Sequence, residues 1–285
     1  AHRDEEAREV TADATTNREA KLRSGGVRAL YAGNVGAVVG RGLRATRSSN
    51  WVIVASGVFE PIFYLLSLGV GLGAYIGAVT DVHGNEIPYA AYIAPALLAV
   101  SAMNGAVYDS TWNVFFKMNY GKLYQGMLAT SLGPLDVALG EIMLALMRGA
   151  AYGLSFQVVM QVLGLNLSWT AILAVPAVIL IAFGFASIGM GITSYLKTFQ
   201  QMEWIPFVLL PMFLFSATFY PLSVYPEPIQ WFVQALPLWH GVELVRGLTT
   251  GILTPMMLVH VMYYLLMIAV GLFFTTRRLR ALFLD

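Results

Sequence analysis

Apolar residues gather into six runs, at roughly residues 51–75, 89–108, 142–163, 171–195, 204–220 and 256–274. Each is close to the ~20 helical residues that cross a hydrocarbon core, so the pattern predicts an all-α membrane protein with six transmembrane helices. Several runs begin or end at Trp or Tyr, whose rings favour headgroup depth. Ahead of them, residues 27–48 carry a shorter amphipathic pattern. At about 100° per residue, Tyr31, Val35, Val38 and Val39 share one face and Asn34, Arg41 and Arg44 another, which predicts an elbow helix lying in the headgroup plane. Residues 1–26 are polar and mixed in charge, with no signal-peptide pattern, and are expected to form a flexible cytosolic tail. Residues 27–285 then make one membrane domain.

The connections differ in character. Residues 221–255 are too apolar for a free loop and hold two short helical stretches broken at Pro237, so they are expected at, or dipping into, the outer leaflet. Residues 109–140 are amphipathic and end at a Gly-Pro break, a candidate docking surface for a cytosolic partner. Gly69, Gly73 and Gly77 form a ladder at four-residue spacing, which predicts close packing of another helix on that face.

Composition agrees with the pattern: 58% of residues are hydrophobic and only 12% charged, against roughly 25% charged in soluble domains. Charge distribution sets the orientation. With both termini cytosolic, the inner segments hold 15 of the 17 Lys and Arg, the outer segments hold Arg246 alone, and Arg148 lies within a span. The balanced head, with nine basic and six acidic residues among the first 50, offers no nucleic-acid surface. The absence of cysteine excludes disulfides and thiolate chemistry.

Several activities fall away on motif grounds. The Gly121-Lys122 pair is followed by leucine and lacks the upstream glycine of a phosphate loop, so this chain does not hydrolyse ATP by itself. Gly69, Gly71 and Gly73 sit inside an apolar run and not after a strand, which removes a dinucleotide reading. His2, His83, His240 and His260 are scattered, without a zinc motif. His240, Glu243 and Arg246 recur at three-residue intervals and are expected on one face of a short interfacial helix. No G-x-S-x-G precedes His260, which is expected to find its polar partner on a neighbouring helix. Two ionisable residues stand inside the spans, Glu60 and Arg148. An unpaired arginine at that depth costs about 3 kcal/mol, so the two are expected to face each other or a shared polar cavity, serving either packing or transport.

The stretches EPIFYLLSLGVGLG from Glu60, AYIAPALLAVSAM from Ala91, LATSLGPLDVALGE from Leu128, FSATFYPL from Phe215 and LPLWHGVELVRGL from Leu236 resemble the type 2 ABC exporter permeases, in the branch of nodulation lipo-oligosaccharide and drug-resistance permeases. Ser131 and Ala217 depart from it, standing where proline and glycine are usual. The resemblance implies six helices with an elbow, a re-entrant outer helical hairpin at 221–255, both termini inside, and a multi-pass location in the bacterial plasma membrane. It further implies two ABC ATPase subunits holding ATP and Mg, with no cofactor on this chain, and a second permease chain, identical or related, set among membrane lipids. Arg41, Arg44, Lys117, Tyr120, Lys122, Tyr124 and Asp136 would then receive the ATPase stroke. Phe59, Glu60, Phe63, Tyr64, Met212, Phe215 and Tyr220 would line the path of an amphiphilic substrate, a lipid, a glycolipid or a hydrophobic drug. The alternative is an ion-coupled secondary transporter, which calls for inverted repeats and several buried ionisable residues.

Overall fold

The computed structural model describes residues 31–46, 55, 59, 62–80, 84 and 86–283. The chain is mostly helical. Helix α1 spans Val35–Thr46 and α2 spans Ile62–Ile76. A two-stranded hairpin follows, with β1 (Ala78–Thr80) antiparallel to β2 (Glu86–Pro88) and Val79 opposite Ile87. Then come α3 (Tyr89–Asn119), α4 (Leu123–Leu128), α5 (Pro134–Val162), α6 (Trp169–Thr193) and α7 (Phe199–Phe215), α8 (Glu227–Ala235), α9 (Pro237–Thr250) and α10 (Met256–Phe283).

Among the described residues, four helices are long and apolar enough to span a membrane: α3, α5, α6 and α10. Helices α2 and α7 are apolar but shorter. The first expected run, 51–75, is described only in part, and most of its first half lies outside the described residues. The expected end of the second run at Tyr108 is corrected, because the helix continues to Asn119 through a wide turn at Asp109–Asn113. The fifth run, expected to reach Tyr220, stops being helical at Phe215. The sixth continues past 274, carrying Arg277, Arg278 and Arg280 on the same helix.

The first part of α3, Tyr89–Tyr108, is apolar around nearly its whole circumference, the pattern of a helix buried on every side. Accordingly Ile93, Leu97, Leu98, Met103 and Ala106 are sealed from solvent, and α2, α5, α6 and α9 all pack on α3. Helix α10 covers α6, and α1 lies along α5. There Val38 meets Gly140 so closely that a Cβ on the glycine would stand 2.6 Å from the valine side chain. The face read from Tyr31 to Val39 is therefore shortened: Tyr31 precedes α1 and is exposed, while Val38 is the buried contact.

The glycine ladder of α2 holds in part. Residues Leu65–Leu72 wind as a wide π-helix, and Gly69 is buried against the next helix, where a Cβ would stand 3.4 Å from the Ala90 side chain and 3.5 Å from its Cα. A Cβ on Gly73 would meet only ordinary contacts at 3.7 Å, and Gly77 ends the helix at a positive φ with nothing within 4 Å. Backbone-to-backbone approach occurs elsewhere, at Gly105 and Gly149 between α3 and α5 and at Gly271 against Ser187 of α6.

Beyond α7 the chain bends at Ala217, which takes a left-handed φ of 54° at the position where the resemblance calls for glycine. The bend is anchored: the Ala217 carbonyl accepts from Arg246 Nη2 at 2.8 Å and from the Tyr92 hydroxyl at 3.4 Å. The left-handed backbone costs an L-residue about 1 kcal/mol, and the buried methyl group, packed with Val233 and Trp239, returns a similar amount. Ala217→Gly is therefore expected to change stability by less than about 0.5 kcal/mol, whereas β-branched Ala217→Val costs about 2 kcal/mol. Thermal unfolding of the purified protein measures both.

Candidate functional site

The residues expected to receive a partner's stroke converge where α1, α3, α4 and α5 meet. Asp136 is three residues into α5, behind Gly133-Pro134, and turns its carboxylate back to accept from the Gly133 amide at 2.9 Å. The same group accepts from the amides of Ala32 at 2.8 Å and Asn34 at 3.0 Å, tying the segment ahead of α1 to the start of α5. A carboxylate in the first helical turn is also favoured by the exposed N–H groups there.

Five residues further along α5, Glu141 is nearly sealed from solvent and accepts from Lys117 Nζ of α3 at 2.6 Å. Arg41 of α1 brings Nη2 to 3.9 Å from its other oxygen. One carboxylate thus joins three helices. Tyr124 of α4 is fully buried beside it, and burial together with the Glu141 charge holds its phenol well above the ordinary range, in the neutral form.

Two expected contacts are corrected on geometry: Tyr124 and Asp136 are both fully buried and offer no surface to a partner. Tyr120, Lys122 and Arg44 are exposed, and Arg41 and Lys117 are half-buried with their charged ends turned to Glu141. Lys122 opens α4 in the left-handed region at φ 45°, so the exposed turn carrying it bends sharply.

Arg148 lies seven residues beyond Glu141, about two turns deeper. It pairs with Asp109 at 3.1 Å, and Asn113 donates to the same carboxylate oxygen. The partner expected for it, Glu60, lies outside the described residues. Glu141 and Asp109 were missed as functional residues. Asp109, Asn113 and Lys117 recur every four residues and share one helix face once α3 is carried past Tyr108.

From this junction an aromatic chain leads to α7. Phe199, at its start, meets Trp112 and Phe116 of α3 with ring centroids 5.5 and 6.2 Å apart. Of the expected path residues, Phe63 and Tyr64 lie on α2, Met212 and Phe215 on α7, Phe59 precedes α2, Tyr220 follows α7, and Glu60 lies outside the described residues. Phe59 and Phe63 stack at 6.2 Å and are exposed. Tyr64 meets Phe213 edge-on at 5.7 Å, and the two help line a 290 Å³ cavity between α2, α3 and α7 that also holds Asn104. Phe215 and Tyr220 both contact Tyr225 and stay partly open, whereas Met212 is buried and presents no open wall. Phe207, Val208 and Leu210 extend the exposed apolar surface along α7.

At the far end of the bundle, His240, Glu243 and Arg246 all lie on α9, and His240 is buried. Arg246 binds Glu243 one turn away. His240 and His260, apart in sequence, are brought together with Nδ1 atoms 2.7 Å apart, so His260 does take its partner from a neighbouring helix.

Comparison with known proteins places this geometry. The family model described as ABC-2 type transporter matches residues 34–250. Similar curated proteins include Nodulation protein J of Rhizobium leguminosarum bv. viciae, 29% identical over 79% of this chain and 86% of its own length. That of Bradyrhizobium diazoefficiens is 33% identical over 66% and 70% respectively, and that of Sinorhizobium fredii 31% identical over 74% and 79%.

Proposed function

The chain belongs to the ABC-2 type transporter family, and from that premise we propose that it is the permease subunit of an ATP-driven exporter moving an amphiphile out of the bacterial cytosol. As a membrane subunit it supplies the path, and ATP with Mg acts on two partner ATPase subunits. In this reading α2 and α7 complete six spans, α1 is the elbow, α8 and α9 form the re-entrant outer hairpin, and both termini are cytosolic. The cargo class is a lipid, a lipo-oligosaccharide or a hydrophobic drug. Similarity to proteins named for nodulation favours the lipo-oligosaccharide within that class.

The observation that carries the proposal is the meeting of Arg41, Lys117 and Glu141. Lys117, three residues before the exposed turn at Tyr120, and Arg41 of α1 both face one buried carboxylate, and Trp112 and Phe116 of the same helix as Lys117 meet Phe199 of α7, which supports a path for a push from that turn. Glu60 and Arg148 remain proposed as polar elements near the path. The exposed apolar faces of α2 and α7 suit a second permease chain, with the substrate passing between the two copies.

Co-expression with an ABC ATPase from the same bacterium tests the reading. The ATPase is expected to co-elute with this chain and to change its hydrolysis rate several-fold when the complex sits in vesicles containing lipo-oligosaccharide. Solute flux by this chain alone, driven by an ion gradient without ATP, would overturn it.

A further inference from the structure

Helix α10 has two unlike faces. Tyr264, Ile268, Thr275 and Leu279 are buried, on the side that packs against α6. Opposite them Met262, Leu266, Val270, Phe273, Arg277 and Arg280 are all exposed, and because they recur at intervals of three and four residues they form one straight stripe.

The stripe changes character once. From Met262 to Phe273 it is apolar for about 17 Å, close to the ~15 Å of hydrocarbon in one leaflet, and one turn further it reaches the two arginines. Arg278 flanks them on the side of α6. Its Nε donates to the Ser194 carbonyl at 3.3 Å, and its guanidinium lies 5.0 Å over the Tyr195 ring. Tyr195 is itself exposed, and such a ring favours headgroup depth, so the three charges stand where the hydrocarbon ends.

No carboxylate answers those charges. Arg41, Lys117, Arg148 and Arg246 each face one, but among the described residues Arg277, Arg278 and Arg280 join no ion pair, and α10 carries no Asp or Glu. A ligand that suits the whole stripe therefore brings negative charge at headgroup level together with an apolar chain below it. A zwitterionic headgroup brings a cation that finds no carboxylate here, a soluble anion leaves the apolar stripe bare, and the carboxylates of a cytosolic protein lie on the water side of Phe273. We infer that Arg277, Arg278 and Arg280 bind the phosphate of an anionic phospholipid of the surrounding membrane, whose acyl chain lies along Phe273, Val270 and Leu266. The inference rests on α10 crossing the membrane, and not on what is carried or what drives it.

Each basic residue at an anionic lipid surface strengthens binding about fivefold, so two of them give a preference well above tenfold. The test uses the full chain in lipid nanodiscs without nucleotide. The sequence has no cysteine, so Phe273→Cys places a single bimane label on the stripe. Phosphatidylglycerol with brominated acyl chains is expected to quench the label at a mole fraction at least about tenfold lower than phosphatidylcholine with the same chains. Arg277→Gln combined with Arg280→Gln, at two exposed and unpaired positions, is expected to bring that ratio below about twofold. So is moving the label to Met147→Cys, which is exposed on α5. Equal quenching by the two lipids at Phe273→Cys, a ratio that survives the double change, or the same ratio at Met147→Cys would each overturn the proposal. Tailless sn-glycerol 3-phosphate that erases the preference at a concentration equal to that of the lipid would overturn it in favour of a soluble phosphate. Loss of ATPase co-elution on the double change, with equal quenching by both lipids, would overturn it in favour of a protein contact.

Discussion

Glu141→Gln is expected to destabilise the protein by about 2–3 kcal/mol and to reduce ATP-driven export at least tenfold while the ATPase subunits still bind. The carboxylate accepts a 2.6 Å bond from Lys117 and holds Arg41 at 3.9 Å. A hydrogen bond between charged groups contributes about 1.5–3 kcal/mol, and stripping one partner from a buried pair costs up to about 5. The lower figure applies because Lys117 is 26% exposed and water compensates part of its charge. Neutralising Glu141 also leaves two cations in proximity, so α1 and the segment ahead of it keep their contacts at Gly140 and Asp136 but lose the ionic tie that links α1 through Glu141 to Lys117 of α3. Lys117→Met with Glu141→Gln removes both charges and is expected to cost at least about 1.5 kcal/mol less than the two single changes added. Thermal unfolding of the four proteins gives the coupling. Additive losses would show that the pair does not act as a unit, and full export by Glu141→Gln would remove it from the coupling path.

That junction was half legible in the sequence. Lys117, Tyr124, Asp136 and Arg41 were expected there from the resemblance, while the charge pattern by itself gave only the orientation of the segments that carry them. What brings them together is not local: Asp136 accepts from Ala32 and Asn34 across more than a hundred residues of chain. Glu141 was hidden by a boundary. A span of about 20 residues ends at Tyr108 by the thickness of the bilayer, but the helix runs on because Asp109, Asn113 and Lys117 find polar partners along one face. The break at Pro237 was readable from the proline itself, since α9 begins there. The β-hairpin was not, being three residues per strand with no alternating run to announce it.

The glycines show the same limit with the largest energetic consequence. Gly271→Ala is expected to destabilise the protein by about 2 kcal/mol, and Gly271→Leu to prevent its accumulation in the membrane. A Cβ at Gly271 would lie 2.5 Å from the carbonyl carbon of Ser187 and 2.7 Å from its oxygen. Backbone cannot rotate away as a side chain can, so α10 must move off α6 along their shared length, and overpacking of this kind costs about 1–3 kcal/mol or more. Between helices that meet in lipid the loss is not recovered by water, because close van der Waals contact is itself the driving force. Gly73→Ala supplies the contrast. Spacing alone made Gly73 the centre of a packing ladder, but its added methyl would meet the Tyr89 side chain at an ordinary 3.7 Å. Alanine also suits a helix better than glycine by about 1 kcal/mol, so Gly73→Ala is expected to be neutral or stabilising. Unfolding midpoints in one detergent rank the two variants, and a Gly73→Ala loss equal to that of Gly271→Ala would extend the ladder to Gly73 and refute the α6–α10 contact as the tighter one.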